Sequence, residues 1–171
     1  MAITLLRHGA LPKQYHRRYI GHSDISIDAD LFEYEKVKPL ANNHYDLVFS
    51  SDLLRCKETL QQMGIEHFTT DSRLREMSFK PSFEGKSFAE IESMANFNQD
   101  ALDSKESWHN FICEEPFESF ILRIQSFLKE LPKDKEILIC THAGTIMMIH
   151  SHFFPETTST ILGYLDYITL R

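Results

Sequence analysis

Apolar positions along the chain follow two patterns. Short apolar runs, typical of buried strands, alternate with longer segments whose apolar residues recur every three or four positions, as on one face of a helix. The runs predict five strands, over residues 3–6, 45–49, 66–69, 136–140 and 163–170. The longer repeats predict helices over residues 29–43, 53–63, 87–95 and 116–131, and one that follows residue 144 and ends near residue 154, before Pro155. Residues 71–86 look irregular, and residues 97–115 predict short helical pieces and loops.

Several helix ends carry local signals. The Ser-Ser-Asp segment at residues 50–52 is suited to capping the second helix, and Gly64 to ending it. Ser87 and Glu90 have the spacing of a capping box, in which each side chain bonds the other residue's backbone.

The order of these elements predicts an α/β protein with a largely parallel sheet, because strands alternate with helices at short spacing. Three of the strands end in polar residues: Arg7 and His8, residues 50–52 followed by Arg55, and Thr141 and His142. In such sheets ligands bind beyond the carboxyl ends of the strands. One edge is therefore expected to collect two imidazoles and two guanidinium groups.

Composition limits the partners that this edge can bind. The 171 residues fit one domain and carry a formal net charge of -7, which argues against a nucleic-acid or anionic-membrane surface. A cationic site in such a chain has to be a local pocket, suited to a small phosphate. No stretch approaches the roughly 20 apolar residues of a membrane-spanning helix.

The three cysteines indicate a reducing compartment. Cys56, Cys113 and Cys140 are odd in number and widely spaced, which argues against a disulfide framework. No basic start followed by an apolar run and a cleavage site marks a secretory signal, so the expected location is cytoplasmic.

The polar residues at the strand ends have both chemical and structural interpretations. Arg7 offers a fixed, forked cation, and His8 is a side chain that can act as a nucleophile near neutral pH. The structural interpretation of Arg7 and His8 is a solvated strand end. His142 could instead be a buried structural histidine, and Arg55 a solvated cation on the surface of a helix. Glu76 could likewise be a surface partner of the neighbouring arginines.

Four motifs in order carry a family resemblance. Arg7-His8-Gly9, Ser-Ser-Asp-x-x-Arg at residues 50–55, Glu76 and Thr141-His142-Ala143-Gly144 together resemble the histidine phosphatase superfamily, which includes the phosphoglycerate mutases. The resemblance runs over nearly the whole chain. It implies a three-layer α/β/α fold with a mostly parallel central sheet, formed by one domain over residues 1–171. It also implies that residues of about 78–118 form a lid over the active site.

The resemblance implies a two-step phosphoryl transfer through a phosphohistidine on His8. Glu76 matches the proton donor of the family, and His142 is expected to donate to the phosphoryl group beside His8. The phosphoryl oxygens are expected to be held by Arg7, Arg55, His142 and the backbone at Ala143, where a helix begins. No cofactor and no metal are implied.

The substrate-binding residues follow the family pattern less closely. Gln14, Arg18 and Gly21 are assigned to substrate binding by their positions after His8, with Arg17 as the competitor of Arg18. Ala10 stands where the family has a carboxylate, so substrate contacts are expected to differ.

Two further segments depart from the family pattern. The Phe-Gly-x-Trp-Glu-Gly loop of the family appears as the longer residues 79–85, with Phe83 replacing the Trp. The expected lid contains the aromatic residues Trp108, Phe111 and Phe117. These side chains either line a substrate pocket or belong to the apolar core.

The favoured function is a phosphomonoesterase that acts on a small phosphorylated metabolite. The compact length and the turn at residues 21–24 are most similar to the α-ribazole phosphatase branch. The alternatives are a phosphoglycerate mutase-like phosphotransferase and a non-catalytic protein that binds phosphorylated ligands. The expected partners are a small phosphorylated substrate and, at most, a second copy in a homodimer.

Overall fold

The computed structural model describes residues 2–153 and 162–171. The described strands are β1 (Ala2–Arg7), β2 (Leu47–Ser50), β3 (Thr69–Thr70), β4 (Glu136–Thr141) and β5 (Tyr167–Leu170). The described α-helices are α1 (Tyr34–Ala41), α2 (Leu54–Gln62), α3 (Phe88–Glu92), α4 (Lys105–Ile112), α5 (Phe117–Lys129) and α6 (Ala143–Phe153). The predicted helix end near residue 154 and Pro155 lie outside the described residues.

The five strands form one sheet in the order β3-β2-β4-β1-β5. Neighbouring strands are parallel except β5, which runs antiparallel to β1. Arg7 at the end of β1 pairs with Thr141 at the end of β4, and Ser50 at the end of β2 pairs with Cys140. The three polar strand ends therefore meet at one edge of the sheet, as the sequence predicts.

Alternating side chains give the sheet two buried faces. Leu5, Ile137 and Ile139 pack with Phe120 and Phe127 of α5 and with residues of α6. The opposite face carries Leu6, Leu138 and Cys140, packed against residues of α1 and α2. This arrangement is the expected three-layer α/β/α architecture with a mostly parallel central sheet.

The segment over residues 78–118 has an apolar cluster of its own. Phe79, Phe83, Ile91, Ile112 and Cys113 are buried together there, and Tyr19 packs against them from the first loop. The assignment of the chain to one domain with a lid stays a prediction.

Three local predictions differ from the structure. The predicted helix 29–43 is divided into a 3-10 turn (Ala29–Leu31) and α1, because Phe32 and Glu33 between them have non-helical backbone angles. The third strand is only Thr69–Thr70, paired with the end of β2. The first N–H of α2, that of Leu54, donates to the Asp24 carboxylate at 2.7 Å, while the predicted capping segment contributes only a long contact of 3.4 Å from the preceding Leu53 N–H to Ser51 Oγ.

Other predicted helix ends are confirmed. Ser87 and Glu90 form the capping box of α3. Gly64 follows α2 with a φ of 80°, a left-handed conformation that glycine adopts without strain.

Candidate active site

His8 is held in one tautomer by the backbone. Its ring is buried, and Nδ1 lies 2.8 Å from the Gly9 carbonyl oxygen. A carbonyl only accepts, so Nδ1 carries the proton and Nε2 keeps a free lone pair. Burial, followed by the charges of Arg55 and Arg7, holds the pKa of His8 well below its usual range. The His8 ring is therefore uncharged at neutral pH, with the lone pair of Nε2 unused.

His142 lies beside His8, with 5.2 Å between the ring centroids. Its Nδ1 accepts from Arg55 Nε at 3.1 Å, and its Nε2 donates to Ser51 Oγ at 2.9 Å. Burial and then Arg55 hold the pKa of His142 well below its usual range, which agrees with the accepting role of Nδ1. Both ring nitrogens are therefore bound to the protein.

Arg55 is buried and bonds both His142 and the loop that follows β1. Its Nη1 donates to the Ser23 carbonyl at 2.9 Å, and its Nη2 to the Gly21 carbonyl at 2.7 Å. The alternative of a solvated helix cation is therefore excluded for Arg55, which is 1% exposed.

Arg7 reaches the same region from the end of β1. Its guanidinium lies over the Tyr164 ring, 4.2 Å from the centroid, and donates to the Leu162 carbonyl. Arg7 Nε is buried and has no hydrogen-bond partner among residues 2–153 and 162–171. The Arg7 side chain therefore carries one buried donor that is left unpaired by the described residues.

Glu76 is fixed at the N-terminus of α6. Its Oε2 accepts from the Gly144 N–H at 3.0 Å, and its Oε1 from the Met77 N–H at 3.1 Å. A Cβ at position 144 would lie 2.5 Å from Glu76 Oε1, so this approach requires glycine. Glu76 is 8% exposed, which excludes the alternative of a surface carboxylate.

Arg123 of α5 holds the backbone that leads to Glu76. It donates to the carbonyls of Arg73 at 2.6 Å and Arg75 at 3.1 Å, and more weakly to that of Glu76 at 3.4 Å. The same guanidinium forms a two-point ion pair with Glu115, with both distances 2.8 Å. These contacts connect the segment over residues 78–118, α5 and the backbone that leads to Glu76.

A cavity of about 240 Å³ lies between these groups. Among the described residues it is lined by Arg7, His8, Leu11, Tyr15, Arg18, Tyr19, Ile20, Glu76, Met77, Phe79, Ala143, Gly144, Met147 and Tyr164. The structure thus brings together the predicted residues His8, Glu76, Arg7, Arg18 and Ala143. Arg55 and His142 are not among these lining residues, and they contact each other.

The other predicted substrate residues have structural contacts. Arg18 lines the cavity, but its guanidinium donates to the Gly85 carbonyl at 2.9 Å and pairs with Glu90 at 2.6 Å. Gln14 is exposed and does not belong to the described lining. Gly21 is packed so closely that a Cβ would lie 2.9 Å from the Phe79 ring. Its glycine identity is explained by packing.

Sequence reasoning missed Arg123 and Tyr164. Arg123 acts on backbone carbonyls, which leave no trace in a residue pattern. Tyr164 contacts Arg7 from a part of the chain that no motif covers. The sequence held one signal for Tyr164, because an arginine buried at a strand end, as Arg7 is, needs an aromatic or carbonyl partner.

No helix in the described part of the chain is long and apolar enough to cross a membrane.

Comparison with known proteins places this chain in a family. The model of the histidine phosphatase superfamily (branch 1) matches residues 3–164. No curated protein matches the chain.

Solved structures share the fold at low sequence identity. A phosphoglycerate mutase from Thermus thermophilus is 22% identical with a TM-score of 0.72, over 99% of this chain and 92% of that chain. A phosphoserine phosphatase from Entamoeba histolytica, solved with 3-phosphoglyceric acid, is 19% identical with a TM-score of 0.74, over 98% and 89%. A mycobacterial hydrolase is 19% identical with a TM-score of 0.79, over 98% and 87%. These likenesses confirm the predicted phosphoglycerate mutase-like fold.

The match over residues 3–164 also confirms the resemblance carried by the four motifs. The chain belongs to the histidine phosphatase superfamily, branch 1.

Proposed function

We propose that the protein is a phosphomonoesterase that transfers a phosphoryl group to His8 Nε2 and then to water. The observation that carries the proposal is the hydrogen bond from His8 Nδ1 to the Gly9 carbonyl, which leaves Nε2 unprotonated in a cationic cavity. A phosphate monoester is a dianion, and a neutral imidazole attacks it without charge repulsion. Family membership supports a phosphatase or mutase role, and the choice of hydrolysis is the proposal.

The first step forms a bond from Nε2 to phosphorus and breaks the bond from phosphorus to the ester oxygen. The leaving alkoxide takes a proton from Glu76, which must enter this step protonated. Arg7, the backbone at Ala143 and the N-terminus of α6 are placed to hold the charge that develops on the phosphoryl oxygens.

The second step returns the enzyme to its starting state. Water attacks phosphorus, the bond from phosphorus to Nε2 breaks, and Glu76 accepts the proton of the water. Inorganic phosphate leaves, and His8 regains its lone pair. The contacts of Arg55 and His142 support a positioning role for both, because they hold the first loop and the wall behind His8.

The test is hydrolysis of p-nitrophenyl phosphate by the purified protein with excess EDTA present. We expect turnover that falls by about 10³-fold or more in His8→Ala. The exposed His67→Ala is the matched control and is expected to keep wild-type activity. Quenching with alkaline detergent during turnover is expected to trap a phosphoryl label that is stable in base and lost in acid, on the wild type and His67→Ala but not on His8→Ala.

Other results would support the alternative functions. Transfer between positions of phosphoglycerate, stimulated by a bisphosphorylated primer, would favour the mutase. Binding of phosphorylated ligands without turnover would favour the non-catalytic protein. The α-ribazole phosphatase branch stays a prediction, and preferred hydrolysis of α-ribazole phosphate in a metabolite panel would support it. A cytoplasmic location is part of the proposal, supported by three buried free cysteines.

A further inference from the structure

A second, apolar pocket adjoins the catalytic cavity. It has a volume of about 180 Å³ and is bounded by α4, α5 and α6. Four residues line both spaces: Tyr19, Met77, Gly144 and Met147. The two spaces therefore adjoin at these four residues, two of which are methionines, whose flexible side chains can move to join the spaces.

The walls of the pocket are aromatic and sulfur-containing side chains. Beyond the shared residues they include Trp108 and Ile112 of α4, Phe117 and Phe120 of α5, and Met148 of α6. Thioether sulfur and aromatic rings make favourable contacts with an aromatic or saturated ring, and methionine adapts to its outline. These residues include Trp108 and Phe117, for which the sequence left pocket lining and core as alternatives.

The polar groups of the pocket offer little to a charged ligand. The His109 ring is buried and donates from Nε2 to the Glu115 carbonyl at 2.8 Å, and burial lowers the pKa of His109, so the ring is neutral. The Ser151 hydroxyl already donates to the Met147 carbonyl at 2.8 Å. Lys105 is exposed, so its ammonium group can remain in water while its stem borders the pocket.

The size of the pocket limits what fits. An engineered apolar cavity of about 150 Å³ in another protein binds benzene, so about 180 Å³ accommodates one ring with a short link. A carboxylate or second phosphate placed among these walls would lose its hydration without gaining a buried partner.

We propose that the substrate is a phosphate monoester whose alcohol carries an uncharged apolar group of about the size of one ring. The phosphoryl group lies at His8, and the ring lies between Trp108, Met147 and the aromatic residues of α5. This inference rests on the proposed function, because it names the substrate class of the same site.

The test compares esters of unactivated primary alcohols, so that the chemistry at phosphorus is similar. We expect kcat/KM for 2-phenylethyl phosphate to exceed that for ethyl phosphate by about 10- to 100-fold, the gain expected for burying one phenyl ring. The same measurement with 2-cyclohexylethyl phosphate shows whether the pocket prefers an aromatic or a saturated ring. Equal values for the phenyl and ethyl esters, or faster turnover of 3-phosphoglycerate or O-phosphoserine, would overturn the proposal.

A filled pocket provides the matched variant. Ser151→Leu places a branched side chain in the pocket, and we expect it to lower the phenyl-to-ethyl ratio about tenfold while ethyl phosphate turnover stays within about twofold. Ser126→Leu is the control, since Ser126 also bonds a carbonyl of its own helix but is exposed on α5. An unchanged ratio in Ser151→Leu would overturn the assignment of the pocket.

Calorimetry separates this inference from the proposed function. If no ester is turned over, the phosphatase proposal fails, but the relative affinity of 2-phenylethyl and ethyl phosphate still tests the pocket. The inference would be supported if the phenyl ester binds more tightly than the ethyl ester and if Ser151→Leu abolishes that difference. Equal affinities would refute it, whatever the activity.

Discussion

Arg123 provides the sharpest test of how the site is held. Its guanidinium bonds the carbonyls of residues 73, 75 and 76 and pairs with Glu115, at side-chain exposures of 18% and 19%. Arg123→Met removes all of these bonds and leaves the Glu115 carboxylate without its cation. We expect this change to loosen the backbone that positions Glu76 as well as to destabilise the fold.

The magnitude follows from the degree of burial. Removing one partner of a fully buried ion pair costs about 3–5 kcal/mol, and partial exposure to water lowers the expected loss to about 2–4 kcal/mol. For a chain of this length each kcal/mol corresponds to about 2–4 °C in Tm, so we expect a decrease of about 5–15 °C. This loss alone would be merely structural.

The catalytic readout is the dependence of rate on the leaving group. Protonation by Glu76 matters for an alkyl ester and little for p-nitrophenyl phosphate, whose leaving group departs as an anion. We therefore expect Arg123→Met, assayed well below its Tm, to lower kcat/KM for ethyl phosphate about 10- to 100-fold and for the nitrophenyl ester less than about threefold. The ratio kcat/KM is used because it reports phosphoryl transfer to His8 and not the second step, which both esters share.

A second arginine offers a matched control. Arg73 forms two-point pairs with Asp71 and Glu130, but its side chain has no contact with Glu76. Arg73→Met is expected to leave the ratio of the two rates unchanged. Equal slowing of both esters in Arg123→Met, or no slowing, would show that Arg123 does not position the acid.

Three further predictions concern the same site. Glu76→Gln is expected to lower kcat/KM for ethyl phosphate by about 10²-fold or more and for the nitrophenyl ester far less, and an equal decrease of the two kcat/KM values would argue against proton donation. Gly144→Ala, whose methyl group would displace the end of the Met77 side chain and the Glu76 carboxylate, is expected to reproduce that selective loss at about tenfold or more, with Ala143→Gly as a comparison variant. Because the pKa values of His8 and His142 are lowered from 6.5 in the folded protein, only the unfolded chain binds these protons as pH falls below that value. The contribution of these two histidines to the free energy of unfolding is therefore largest above about pH 6.5 and decreases as the pH falls below that value. Urea titrations at several pH values measure how steeply the free energy of unfolding changes with pH, and His8→Asn is expected to reduce that slope by about 1.4 kcal/mol per pH unit. An unchanged slope would mean that His8 is protonated in the folded state.

The strand ends were predictable because they follow from pattern alone. An apolar run followed by Arg7 and His8, and another followed by Thr141 and His142, place four polar side chains at one edge once the strands are parallel. The order of helices and strands was sufficient for the fold class. The capping box of α3 was visible because both of its partners lie within four residues.

The contacts that fix the site were not predictable, because most of them involve backbone atoms or distant residues. Arg55 binds the carbonyls of Gly21 and Ser23, and any residue could have supplied those oxygens. Asp24 caps α2 from 30 positions away, although nearer polar residues were available. The division of the helix predicted over residues 29–43 likewise depends on the local angles at Phe32.

The positive charges of Arg55 and Arg7 also bear on the proposed role of His8 as a neutral nucleophile. The positive charges of Arg55 and Arg7 lower the pKa of His8, while a bound phosphate dianion would act in the opposite direction and favour a proton on the ring. The Gly9 carbonyl holds the existing proton on Nδ1, so a second proton could add only at Nε2, the atom that faces phosphorus. Burial of the ring, which is 5% exposed, disfavours the charged form whether or not the ester is bound. Burial is also the largest cause of the lowered pKa of His8, ahead of the charges of Arg55 and Arg7, so it continues to favour the neutral ring when the ester opposes those charges.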